Sequence, residues 1–199
     1  AIPSTTVSLG QTTSNEDGRT YSSRGVLGAQ VRYALQQDGL DKLSVSLLSG
    51  VQSSSLSSRF QGIGAALLEQ LVANGGQSVS QSAFAYTDGT EPSAEALKLQ
   101  GDRLLQDPSN AIKLSLTTVS GATINLTLAS NEDGLAVSAE VEGGELSANE
   151  LKGLASLTDS FQKAINGLTQ EPPKLELGAL VKLDPALFSS LQTVSYTHL

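Results

Sequence analysis

The chain has 199 residues, with twelve Lys and Arg against twenty Asp and Glu, a formal charge of −8, and no Cys, Met or Trp. That balance excludes a nucleic-acid binder, because nothing here could neutralise a row of phosphates. The missing thiols exclude disulfides and thiolate metal sites. Val, Ile, Leu and Phe make up about a quarter of the residues, enough for a core. With aromatics at 4 %, that core must be built mostly from leucine and alanine. No apolar run approaches the roughly eighteen residues of a transmembrane segment.

Residues 1–24 are rich in hydroxyls and poor in large apolar groups, and read as a flexible N-terminal arm. Val7 and Leu9 offer it one edge strand. Because the chain opens at Ala1 without a methionine, it reads as a trimmed chain or a fragment, and a missing leader decides nothing about export. Residues 25–193 are expected to form a single α+β domain, with a helical half at 25–106 and a sheet-plus-helix half at 107–193. Val26, Leu27, Val31 and Leu35, then Leu40, Leu43, Leu47 and Leu48, recur at helical spacing and predict two short helices broken near Asp38-Gly39.

Leu56, Phe60, Ile63, Leu67 and Leu71 predict an amphipathic helix that ends at Asn74-Gly75-Gly76. Gly62 and Gly64 inside it cost roughly 1 kcal/mol each against alanine, so close packing on a neighbour is expected there. Residues 77–87 read as extended. Pro92 opens a helix to about Gln106 with Leu97, Leu104 and Leu105 inward, and Asp107-Pro108 closes it.

From Ile112 to Glu142 the pattern changes to strict alternation, three times over: Ile112, Leu114, Leu116; Ile124, Leu126, Leu128; Leu135, Val137, Ala139, Val141. This predicts a three-stranded antiparallel meander at about 112–142. In the first hairpin Leu116 should oppose Ile124 and Leu114 should oppose Leu126, leaving Gly121 for a left-handed position in the turn. In the second, Leu128 should oppose Leu135 and Leu126 should oppose Val137. The cover is a helix at about 147–168. Ser147 is its N-cap, Glu150 the capping-box partner, and Leu151, Leu154, Phe161, Ile165 and Leu168 its apolar stripe. Gly167 suits a left-handed cap. Leu175 and Leu177 read as a short strand, and Asp184-Pro185 as the start of a last short helix with Leu187, Phe188 and Leu191. Val194–Leu199 resembles a translated adapter that trails open reading frames in environmental sequencing assemblies. Residues 194–199 are therefore expected to be a non-native tail, exposed and irregular, and they hold the single histidine, His198.

With His198 set aside, a Ser-His-Asp triad and histidine zinc sites are excluded. No phosphate loop, nucleophile elbow or dinucleotide fingerprint occurs. Ser160–Lys163 matches Ser-x-x-Lys once, as often as chance provides, and its companion motifs are missing. Asn125-Leu126-Thr127 is a glycosylation sequon by pattern, but falls in mid-strand. The acidic stretch is the better candidate. Glu140 and Glu142 point the same way from the last strand, with Glu132, Asp133, Glu145 and Glu150 nearby, and hard cations take several such oxygens. No calcium-loop spacing accompanies them, so Glu140 and Glu142 are weak metal candidates that are expected to face water. No catalytic residue and no cofactor is assigned.

The chain resembles no characterised family. Acidity, abundant Ser, Thr and Gln and the missing catalytic constellation point to a non-enzymatic bacterial protein of structural or interaction type, exported or surface-attached. The second reading is a carrier of a small apolar ligand or lipid, with a cavity between helix layer and sheet. The third is a hydrolase that uses carboxylates alone. The expected partners are a protein or a small apolar ligand, without nucleic acid and without a transmembrane segment.

Overall fold

The computed structural model describes residues 6–8, 31–37, 39, 41–87, 89–170 and 184–197. In chain order the elements are β1 (Thr6–Ser8), β2 (Arg32–Leu35), α1 (Lys42–Val51), α2 (Leu56–Arg59), α3 (Ile63–Ala73), β3 (Val79–Tyr86) and α4 (Ala94–Gln106). They continue with β4 (Asn110–Thr118), β5 (Thr123–Ser130), β6 (Gly134–Glu142), α5 (Ala148–Ala155), α6 (Thr158–Leu168) and β7 (Phe188–Thr197). The class is α+β. All the strands join one antiparallel sheet in the order β1-β2-β3-β6-β5-β4-β7. No helix among the described residues is long and apolar enough to cross a membrane.

The expected meander is present as β4-β5-β6, but it is the middle of a seven-stranded sheet rather than a sheet of its own. Its first hairpin has the expected register, Leu116 opposite Ile124 and Leu114 opposite Leu126, with Gly121 left-handed at φ 101°. The second hairpin is shifted by two residues: Leu128 opposes Val137 and Leu126 opposes Ala139. A two-residue slip keeps every side chain on its face, so alternation alone could not detect it. The turn decides it. The Asn131 carboxamide oxygen accepts the N–H groups of Asp133 and Gly134, both at 2.9 Å, which tightens the corner and lets pairing run on to Ser130 opposite Leu135.

The N-terminal half is mainly helical, as expected, through α1 to α4, and it adds the strands β1, β2 and β3. Two further expectations are corrected. Residues 32–35 form a strand where helix was expected, because Ala34 and Leu35 are buried on opposite faces and such a strand shows no alternation. The last segment is β7, not a helix. Its pairing with β4 shifts register at Thr117/Thr118, which accompanies the inward turn of Phe188. Beyond that point Leu191 and Thr193 are half-buried, while Ser190, Gln192 and Val194 lie on the outer face. The strand continues through residues 194–197, so the backbone there is regular, although Val194 is exposed as expected. The strand expected at Leu175 and Leu177, and His198, lie outside the described residues.

Two predicted helices are each divided. The 56–73 segment breaks into α2 and α3 at Gly62, whose φ of 74° only glycine adopts freely. Gly62 therefore serves the turn, not close packing. Gly64 does serve packing: a Cβ there would stand 2.1 Å from Ile165 Cδ1, so α3 and α6 approach as closely as a missing side chain permits. The 147–168 segment breaks at Ser156-Leu157. There the hydroxyls of Ser156 and Thr158 donate to the carbonyls of Gly153 and Ala155, in competition with the helix ladder. Ser147 caps α5 with the expected reciprocal box, Ser93 rather than Pro92 caps α4, and α6 ends at Thr169 without a left-handed Gly167.

These elements make three layers. Ile112, Leu114, Leu116, Ile124, Leu126, Leu128, Leu135, Val137 and Ala139 point to one face, where α1, α3, α5 and α6 supply Leu47, Leu67, Leu154, Phe161 and Ile165. On the other face α4 packs Leu97 and Leu104 on Ala34, Phe84, Ala129 and Ala136. The helix over the second face was not anticipated. It rests largely on alanines, which do not interrupt the alternating pattern of the strands.

Candidate functional site

The helix α4 covers the second sheet face only over β2, β3 and the adjoining ends of β6 and β5. Its position is set locally. Gly101 faces Ser82, whose hydroxyl donates to Gln36 Oε1 at 3.0 Å, and a Cβ at Gly101 would come within 2.9 Å of that Ser82 oxygen. Next to it Gln81, buried, bonds to Gln37 O and Ser44 Oγ and accepts from Gln37 N, tying β3 to the start of α1. Helix α4 and the sheet thus meet at one end through small and polar groups, and among the described residues nothing covers the rest of the face.

On that bare region β4 shows Lys113, Ser115 and Thr117, and β5 shows Thr123, Asn125 and Thr127. Ser138 and Glu140 come from β6, and Ser190, Gln192 and Val194 from β7. Ser115 Oγ donates to Asn125 Oδ1 across the β4–β5 pair. The surface is therefore flat, hydroxyl- and amide-bearing, and bounded by β7 as the edge strand. Where it meets the end of α4 there is a half-open cleft of about 300 Å³, lined by Gln106, Asp107, Pro108, Ala111, Lys113 and Val194. Val194 opens the stretch that reads as a tail in the sequence.

The metal candidates fall at the far side of this region. Glu140 opposes Asn125 and Glu142 opposes Thr123, and both are exposed to water. The other acids of the stretch are dispersed. Glu132 and Asp133 sit in the β5–β6 turn, and Glu150 is turned into the protein. Among the described residues no group of three or more His, Cys, Asp or Glu is placed to hold a metal ion. Ser160 and Lys163 lie on α6, half-buried and exposed respectively, with no hydrogen bond between them. Between α5–α6 and the sheet, Leu126, Phe161 and Ile165 are each at most 2 % exposed.

Sequence reasoning gave Glu150 a capping role but missed its second partner. Its carboxylate accepts the Ser147 N–H at 2.8 Å and the Ser120 hydroxyl at 2.7 Å, and so clasps α5 to the β4–β5 turn, while being only 4 % exposed. The Ser147 backbone bond, then those from Ser120, Ser147 and Thr118, hold its pKa below the ordinary carboxylate value against the opposing pull of burial. The folded pKa is the lower one, so this clasp contributes fully above the unfolded value of about 4.3 and is lost as pH falls through the folded value. Glu150→Gln should therefore lower stability by about 1–2 kcal/mol at neutral pH. The gap from wild type should narrow in acid, once pH has fallen through the folded value, as read by urea unfolding at neutral and at acid pH. An equal gap at both would mean that the charge is not what matters.

Arg59 plays a comparable part at the other hairpin. Its Nη1 donates to Ser130 Oγ at 3.0 Å and to Asn131 O at 2.7 Å, fastening α2 to the β5–β6 turn. Burial pushes its pKa down, opposed by Tyr33 and Asp133.

No protein-family model, curated protein or solved structure matches this chain.

Proposed function

We propose that this protein is non-enzymatic and of interaction type, and that it works through the bare part of the second sheet face, by binding a protein partner of positive charge. One observation carries the reading: among the described residues, α4 covers part of that face and nothing covers the rest, up to β7 as the last strand of the sheet. In β7, the ten residues from Phe188 to Thr197 include no charged residue and no proline. Edge strands usually carry such residues to discourage pairing, and an edge without them can accept an extended segment. The sign of the partner follows from charge. The chain has a net charge of −8, Glu140 and Glu142 stand on this face, and no Lys or Arg follows Lys113 until Lys152. The hydroxyl-rich, cysteine-free composition fits an exported or surface-attached bacterial protein.

A photo-reactive residue at Gln192 should give cross-linked adducts in a bacterial lysate, and the same residue at Glu69, on the opposite helix layer, should not. Reversing Glu140 and Glu142 together to lysine should abolish the adducts. Equal adducts from both positions, or adducts insensitive to the charge reversal, would overturn the proposal. The small-ligand reading is supported by a different feature, the cleft at the end of α4.

A further inference from the structure

The cleft holds two opposite charges that are not in an ion pair among the described residues. Asp107 and Lys113 both line it. The ion pairs among the described residues are Lys42–Glu69 and Lys98–Asp102, so these two side chains pair neither with each other nor with another described residue. Asp107 is the C-cap of α4, a helix of thirteen residues, and the last carbonyls of that helix add negative potential on its side of the cleft. Lys113 stands on β4 two residues beyond Ala111, on the same face, which places it roughly 7 Å further along the strand. Pro108, Ala111 and Val194 complete the lining; Val194 is the cross-strand partner of Lys113, 57 % exposed, and one of few large apolar side chains among the described residues left open to water. At about 300 Å³ the cleft is at the small end of ligand sites, too small for a lipid and sufficient for a molecule of amino-acid size.

We infer that this cleft binds a small zwitterion of amino-acid type, with an ammonium against Asp107, a carboxylate against Lys113 and an apolar side chain over Val194. A negative and a positive side chain in one small cleft select such a molecule over a simple amine or a simple acid, each of which would leave one of the two unpaired. The inference is independent of the protein-partner proposal, because the residues that carry it are different from Glu140, Glu142 and Gln192.

Amide chemical shifts of the labelled full chain provide the test, with L-leucine, isoamylamine and 4-methylvalerate as probes. Leucine should produce saturable shifts confined to residues 106–113 and the neighbourhood of Val194. The two singly charged probes should bind at least about tenfold more weakly. Lys113→Met and Asp107→Asn should each weaken leucine by a similar factor without changing the melting temperature, since both side chains are exposed. A lack of saturation up to about 20 mM, equal binding of the three probes, or unchanged binding in both variants would overturn the inference.

Discussion

Phe161→Ala should lower stability by about 3–5 kcal/mol and Leu126→Ala by about 2–5 kcal/mol, whereas Lys163→Ala should be indistinguishable from wild type. Phe161 is fully buried on α6, and Leu126 is 2 % exposed on β5, between Leu114 of β4 and Ala139 of β6. Each truncation removes apolar surface and leaves a hole in a layer whose neighbours are held on both sides, so collapse can recover little. For a chain of this length the Phe161 loss corresponds to a melting temperature roughly 6–20 °C lower. Urea unfolding at constant slope separates this from a change in the unfolded state. Equal midpoints for Phe161→Ala and Lys163→Ala would mean that α6 presents a different face to the sheet.

The parts of the fold legible in the sequence were those with local causes. Alternation with a polar outer face gave β4, β5 and β6. Leu116 and Ile124, brought together across the four-residue connection of β4 to β5, fixed one register, and the Ser147–Glu150 box gave the start of α5. What was illegible depends on distant partners. Leu35 meets Ala83 and Ala34 meets Phe84 across some fifty residues, and nothing in Val31–Leu35 records that a strand must lie there. Leu187, Phe188 and Leu191 kept helical spacing only because a register shift in the β4–β7 pairing interrupts the alternation of β7. Hydroxyl competition at Ser156 and Thr158 could have been noticed in the sequence, but such residues occur in unbroken helices too.

The candidate site divides in the same way. That Glu140 and Glu142 would face water followed from their parity with Ser138 on β6, and the structure places them there. The cleft could not have been read, because it exists only where the end of α4 meets β4 and β7, three segments with no periodic relation to one another. Glu150 shows a mixed case. Its bond to Ser147 is local and was legible, while its bond to Ser120 spans thirty residues and was not.

Gly50→Ala gives the sharpest conflict between local propensity and tertiary packing. Within α1, alanine is the better helix former by about 1 kcal/mol, and a sequence argument would recommend the change. In the folded protein a Cβ at that position would stand 2.3 Å from the Arg59 carbonyl oxygen and 2.9 Å from Leu135 Cδ1. Leu135 can turn aside, but the carbonyl cannot move alone. It belongs to α2, whose Arg59 N–H donates to Ser55 O at 2.9 Å and whose Arg59 guanidinium is fastened to Ser130 and Asn131. Relief therefore requires α1 and α2 to separate, which strains the Arg59 bonds or opens the core beside Leu47 and Phe60. The expected net effect is a loss of about 3 kcal/mol, at the upper end of ordinary overpacking. Ser49→Ala, exposed one position earlier in the same helix, should be neutral or slightly stabilising. Because the clash is held in place by Arg59, Arg59→Ala should reduce the additional cost of Gly50→Ala, and a double-mutant cycle should show coupling of about 1 kcal/mol or more. A stabilising Gly50→Ala would show that α1 and α2 lie further apart than this packing requires.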